Sequence, residues 1–195
     1  MRTVAGGAIA LEPQTVAHAE EMFVVLSDPA IYAYENQPPS SVEWLRDRFA
    51  RLESRCSADG TEQWLNWVVR LPTAELIGYV QATVHADGRA AIAYELCSAY
   101  WGRGFARRAV DAMIGELAES YGVRKLTAVL KRENARSFRL LERLGFSLAS
   151  DASLAGHDLD AGEIMMERDI GTKRAGRGPT TAQRKGPRRA SPRHG

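Results

Sequence analysis

Between residues 90 and 130 the side-chain pattern changes twice. "AAIAYEL" (Ala90 to Leu96) alternates as a strand. "RGFARRAVDAMIGELAESYG" then carries Phe105, Ala109, Met113, Leu117 and Tyr121 four apart, and "VRKLTAVL" returns to strand. A strand, a long helix and a second strand make a right-handed parallel crossover. At the first switch stands "YWGRGFARRA" (Tyr100 to Ala109). Glycine weakens a helix relative to alanine, so two glycines at a helix start mark a place that needs bare backbone. The first-turn amides of a helix are unpaired and electropositive, an arrangement that can take a phosphate, and the same glycines also suit a plain turn before a surface helix.

The flanking sequence supplies antiparallel strands. "AIALEP" (Ala8 to Pro13) reads as a first strand, followed by Val16, Ala19, Met22, Phe23 and Leu26 at helical spacing up to Asp28-Pro29. "IYAYENQPPS" is a loop. Ser41 caps a second helix whose stripe is Trp44, Leu45, Phe49 and Leu52. "QWLNWVVRL", "LIGYVQATVH" and "AAIAYEL" are separated by turns, the pattern of hairpins. Trp64 and Trp67 point to opposite faces of their strand, one to the core and one free to line a pocket. After the crossover, Asn134 caps a helix with Phe138 and Leu141 inward and Gly145 as its stop. "FSLAS" and "GEIMMERDI" close the sheet. The fold class is α/β (α+β): a mixed, mostly antiparallel sheet with one parallel pair, flanked by helices.

A chain of 195 residues that is 45% hydrophobic can bury one core. Two cysteines, Cys56 and Cys97, are too few for a disulfide framework and imply a reducing, cytoplasmic setting. No apolar run is long enough to span a bilayer. His18, His85 and His157 are isolated without metal-ligand spacing, so no metal is expected. Charge divides the chain. Of 26 Lys and Arg residues, eight lie in residues 171–195 with no acid, leaving 18 against 24 acidic residues before them. That segment has no large apolar side chain and reads as a disordered basic tail. A salt-sensitive RNA contact and a merely solvated extension both remain open for it. The domain proper is residues 1–170.

Two stretches carry a family resemblance. "AYELCSAYWGRGFARRA" resembles the acetyl-coenzyme A signature of the GCN5-related N-acetyltransferases, the GNAT superfamily. "ENARSFRLLERLGF" resembles that family's Asn-x-x-Ser/Ala helix ending in Leu-Gly-Phe. The six signature positions are Trp101, Gly102, Arg103, Gly104, Phe105 and Ala106. Trp101 stands where Gln or Arg is usual, a form similar to the RimJ/RimL-like branch. The resemblance covers about residues 8–170. It implies that the parallel strands splay apart, with the pantetheine arm of acetyl-coenzyme A against the backbone of Glu95, Leu96 and Cys97. It also implies a pyrophosphate at the glycine loop, where a Cβ at Gly102 or Gly104 would hold phosphate oxygens off the amides, and a polar contact from Asn134.

The implied activity is acetyl transfer to a primary amine, either a protein N-terminus or a small-molecule amine, by a monomer or homodimer. The alternative is an acyl-coenzyme A-binding module without catalysis. Attack by an amine on a thioester needs a base, a polarised carbonyl and an acid for the thiolate. Glu95, the acid interrupting an apolar strand, is the candidate base. Many family members place a tyrosine acid seven residues after the motif asparagine. Here that position is Leu141, so Ser137 is the candidate donor to the thiolate. Tyr32, Tyr34 and Glu35 in the loop are the candidate acceptor contacts, suited to a cation.

Overall fold

The computed structural model describes residues 1–34 and 36–171. The basic tail, and Glu35 in the acceptor loop, lie outside the described residues. Two short strands open the chain, β1 (Val4–Ala5) and β2 (Ala10–Pro13), joined by a turn with Gly7 at φ 74°. The expected first strand is therefore shorter and hairpin-paired. Helices α1 (Ala19–Leu26) and α2 (Val42–Leu52) follow. Ser27 closes the first, with Asp28 capping the short 3-10 turn that follows, and Ser41 caps the second by accepting from the Trp44 N–H at 3.1 Å. Strands β3 (Glu62–Arg70), β4 (Leu76–His85) and β5 (Arg89–Leu96) form an antiparallel meander. Then come α3 (Phe105–Ser120), β6 (Lys125–Lys131), α4 (Ala135–Arg143), β7 (Ser147–Leu148), α5 (Asp151–Leu154) and β8 (Glu163–Asp169). The sheet order is β1-β2-β3-β4-β5-β6-β8-β7.

Each face of the sheet has its own core. Trp67, Val80 and Leu96 pack with Met113, Leu117 and Leu141, which puts α3 and α4 on one side. Val68 and Leu76 pack with Met22, Leu26, Leu45 and Phe49, which puts α1 and α2 on the other. Trp67 is wholly buried, while Trp64 donates its indole N–H to Glu62 at 3.0 Å, so the split between the two tryptophans holds for the core but Trp64 pairs along its own strand. Trp44, read as part of the α2 stripe, is 43% exposed, with the Arg48 guanidinium 5.7 Å from its ring. Among the described residues no helix is long and apolar enough to cross a membrane.

The parallel pair is short. β5 and β6 pair at Arg89 with Lys125, Ala90 with Leu126 and Ala91 with Thr127, and no further. Beyond that point β5 stays with β4 as far as Leu96 opposite Gly78, and β6 stays with β8 as far as Lys131 opposite Glu163. Each strand follows its antiparallel partner, so a gap opens between them. Gly78 lets β4 hug β5 there: it sits at φ 155°, and a Cβ would collide with the Glu95 carbonyl oxygen.

Candidate active site

A cavity of about 480 Å³ lies where β5 runs into α3. Its walls include Leu96, Trp101, Gly102, Gly104, Phe105 and Ala106. Gly102 and Gly104 have φ of 74° and 80°, and a Cβ on either would meet nothing within 4 Å. The glycines are therefore required first by a left-handed backbone that a β-carbon disfavours, rather than by crowding within the chain. Arg108 closes the first turn of α3 on the Gly104 carbonyl at 3.1 Å. The amides of residues 105–107 precede that bond, which leaves helix-start donors at the cavity wall. Arg107, Arg136, Arg139 and Arg143 line the same space. Helix amides and four guanidinium groups suit a ligand rich in phosphate.

Trp101 has a structural task beside any contact it makes. Its indole N–H donates to the Leu96 carbonyl at 2.8 Å, and the Arg136 guanidinium stacks 3.6 Å from its ring centroid. Arg103 leans instead over the Tyr100 ring, at 5.6 Å. The strand edge also differs in detail from the expectation. Cys97 donates its N–H to the Ile77 carbonyl at 2.9 Å, and its side chain packs toward the α1 core. Alternate residues of an antiparallel strand turn their N–H and C=O to the same neighbour. Glu95 and Cys97 therefore direct their backbone to β4, while Tyr94 and Leu96 direct theirs into the gap. Of the three residues whose backbone was expected to face the arm, Leu96 alone turns toward the gap, and Tyr94 turns the same way.

The gap separates two polar centres, one on each face. On the α4 face the Tyr94 hydroxyl lies 2.7 Å from the Ser137 hydroxyl. Asn134 holds that turn by accepting from the Ser137 N–H at 3.1 Å, as its capping role predicts. Burial pushes the Tyr94 phenol up to about 12, against the Ser137 hydrogen bond, which pulls it down, so it keeps its proton at neutral pH. On the opposite face the Glu95 carboxylate accepts from Asn36 Nδ2 at 3.4 Å and bonds to the Tyr79 hydroxyl. Burial, then the charge and hydrogen bond of Glu95, drives the Tyr79 phenol well above its ordinary value.

A second cavity, of about 610 Å³, opens on the α1/α2 face. It shares Tyr94, Glu95, Asn134 and Ser137 with the first, so the two meet at the splay. Tyr32 and Tyr34 both line it. The Tyr32 hydroxyl donates to the Leu26 carbonyl at 2.8 Å, and burial, with the charges of Glu95 and Asp28, raises its phenol to about 12. Asp28 ties this loop to the end of β5 by accepting the Ser98 N–H at 2.6 Å and the Ala30 N–H at 3.0 Å. The Ser98 hydrogen bond chiefly holds its carboxyl below the usual range.

Residues 9–147 match the acetyltransferase (GNAT) domain family. The chain belongs to the GNAT family. One curated relative is an uncharacterized N-acetyltransferase, p20, of Bacillus licheniformis, 29% identical over 149 residues that make up 75% of this chain and 83% of the relative. Among solved structures, RimL, a ribosomal L7/L12 alpha-N-protein acetyltransferase in complex with coenzyme A, shares the GNAT fold with a TM-score of 0.72. Its identity is 16%, over 86% of this chain and 98% of RimL. The microcin C7 self immunity acetyltransferase MccE, in complex with acetyl-coenzyme A and AMP, shares it with a TM-score of 0.70 at 17% identity, over 84% and 93% of the two chains. The GNAT expectation drawn from the two motifs is met, and RimL stands among the fold neighbours.

Sequence reading missed Tyr94, Tyr79, Asp28 and Arg136. Tyr94 and Tyr79 sit inside strand runs where an aromatic residue reads as core. The side chain seven after Asn134, Leu141, is 1% exposed and packed in the core, so a hydroxyl reaches Ser137 from β5 instead.

Proposed function

We propose that this protein moves the acetyl group of acetyl-coenzyme A to a primary amine, with the coenzyme on the α3/α4 face and the amine on the α1/α2 face. The observation that carries this reading is the meeting of two cavities at a splay that has a carboxylate, Glu95, on one side and a hydroxyl pair, Tyr94 and Ser137, on the other. Support comes from the GNAT family match and from fold neighbours solved with coenzyme A or acetyl-coenzyme A.

Bound there, acetyl-coenzyme A supplies an activated thioester. The amides at the start of α3 and the arginines of the first cavity hold its phosphates. The backbone of Tyr94 and the N–H of Leu96, whose carbonyl already accepts from Trp101, pair with its pantetheine amides, with Asn134 beside them. Glu95 accepts the proton that leaves the amine as its nitrogen bonds to the acetyl carbon. The carbon–sulfur bond breaks on the far side, where Ser137 stabilises the departing thiolate by a hydrogen bond, with the Tyr94 hydroxyl 2.7 Å behind it, and the thiolate takes its proton from solvent. Burial keeps that phenol neutral, so it supports the Ser137 hydroxyl by a hydrogen bond without placing a second negative charge beside the thiolate. Tyr32 and Tyr34 bound the amine's side of the site.

Purified protein, acetyl-coenzyme A and a panel of amines test the proposal, read as release of free thiol together with the mass of an acetylated product. Turnover of at least one amine is expected. Coenzyme binding without turnover of any amine would favour a binding module instead.

A further inference from the structure

The floor of the acceptor cavity carries a polar row that the reaction leaves unused. Gln14 follows β2 and donates its N–H to the Asn66 carbonyl at 2.9 Å. Asn66 faces Gln81 on β4, and Gln81 faces Ala93 on β5. This row lies beside the one that holds Tyr79 and Glu95. Gln14 and Gln81 both line the cavity. Gln14 is only 4% exposed, and its side-chain Nε2 has no hydrogen-bond partner among the described residues. A buried amide left unpaired destabilises a fold, and an apolar side chain of similar size would avoid the penalty. Arg48, on α2, borders the same cavity with its guanidinium 5.7 Å from the Trp44 ring. Its charge reaches the Tyr79 hydroxyl and acts to lower that phenol's pKa.

The cavity is therefore polarised. A carboxylate stands at the splay, an unpaired amide donor stands three strands from it, and a guanidinium borders the space between α2 and the sheet. Cations suit the first and oxygen acceptors the other two. We infer that Gln14, Gln81 and Arg48 form a subsite for a carbonyl or carboxylate oxygen of the acceptor, on the far side of the molecule from the amine that is acetylated. This inference rests on the acetyl-transfer reading and narrows it: the substrate is an amine that also bears such an oxygen. Gln81 is one strand from Glu95 and Gln14 is three. At ~4.8 Å between strands, the oxygen lies roughly 5–14 Å from the amine. Alkylamines and simple diamines lack the group that would satisfy Gln14. An amino-acid-like carboxylate and a peptide carbonyl both have it.

The test is steady-state kinetics on the full chain with four probes: alanyl-alanyl-alaninamide, 6-aminohexanoate, hexylamine and 1,6-diaminohexane. Wild type should prefer the better oxygen-bearing probe over both oxygen-free amines by at least about tenfold in kcat/KM. In Gln14→Leu that preference should fall by about tenfold, mostly through KM, the size of one hydrogen bond to an oxygen acceptor. The same variant should melt above wild type, the opposite of what a purely structural glutamine would give. Arg48→Met, on an exposed helix face, should reduce the preference as well and carries the test if Gln14→Leu fails to fold. A better peptide assigns the subsite to a carbonyl, and a better 6-aminohexanoate assigns it to a carboxylate. Equal or greater use of the oxygen-free amines by wild type, or an unchanged preference in both variants, overturns the subsite alone. No thiol release with any of the four overturns the acetyl-transfer reading, and the subsite with it.

Discussion

The Tyr94 hydroxyl sits 2.7 Å from the Ser137 hydroxyl, joining a strand on one side of the splay to the first turn of the helix on the other. In the proposed reaction the two act as one hydrogen-bonding unit on the leaving thiolate. Tyr94→Phe should therefore lower kcat by about tenfold, and Ser137→Ala by a similar amount, with coenzyme affinity little changed. The double variant should be little worse than either single one, because groups in one hydrogen-bonding unit are not additive. Independent, multiplying losses in kcat would show that the hydroxyls do not work together.

Gly102 and Gly104 hold left-handed φ at the start of α3. Gly104→Val should cost stability through that strain, on the order of 1–2 kcal/mol, and should abolish coenzyme binding measured by calorimetry on folded protein. Retained affinity in a folded variant would place the phosphates elsewhere.

Asp28 bridges the acceptor loop to Ser98 after β5. Its carboxyl is held low, so its stabilisation is present above the unfolded-state value near 4 and is lost as pH falls through the folded value. Asp28→Asn should lower stability at pH 7 by about 1.5–3 kcal/mol, the worth of hydrogen bonds to a charge. Its melting temperature should then fall less than that of wild type between pH 5 and pH 3. Parallel curves would show that Asp28 does not contribute through its charge.

Ile170 is buried and donates its N–H to the Arg124 carbonyl at 2.7 Å, the last anchor of the chain among the described residues. A chain ending at Gly171 should fold, bind coenzyme and turn over a small amine as the full chain does. Lost turnover in a folded truncation would give the tail a part in catalysis.

What the sequence made legible was local. Caps such as Ser41 and Asn134, and glycines at a helix start, announce themselves because their chemistry acts within one turn. The crossover could be read because hydrophobic period changes with element type. Hidden from that reading was everything set by register. Tyr79 meets Glu95 because they are cross-strand partners, and Gln14 joins the floor row because it lies opposite Asn66. Asp28 reaches Ser98 across 70 positions. A strand pattern shows that a residue lies on a face but not which neighbour the register puts beside it. Arg136 on Trp101 belongs with these, since α4 and the glycine loop meet only in the folded chain.

Acetyl transfer at the splay with Glu95 as base is tested by the pH profile of kcat/KM for wild type and Glu95→Gln. The acceptor is the best of the amine panel, and free thiol is the readout. Removing a general base costs roughly 10²–10⁴-fold. Glu95→Gln should therefore lose at least a hundredfold near pH 7, with the deficit shrinking at high pH as the free amine forms without help and with coenzyme affinity preserved. A Glu95→Gln enzyme that keeps the wild-type rate and the same acidic limb would contradict the account and move the base elsewhere.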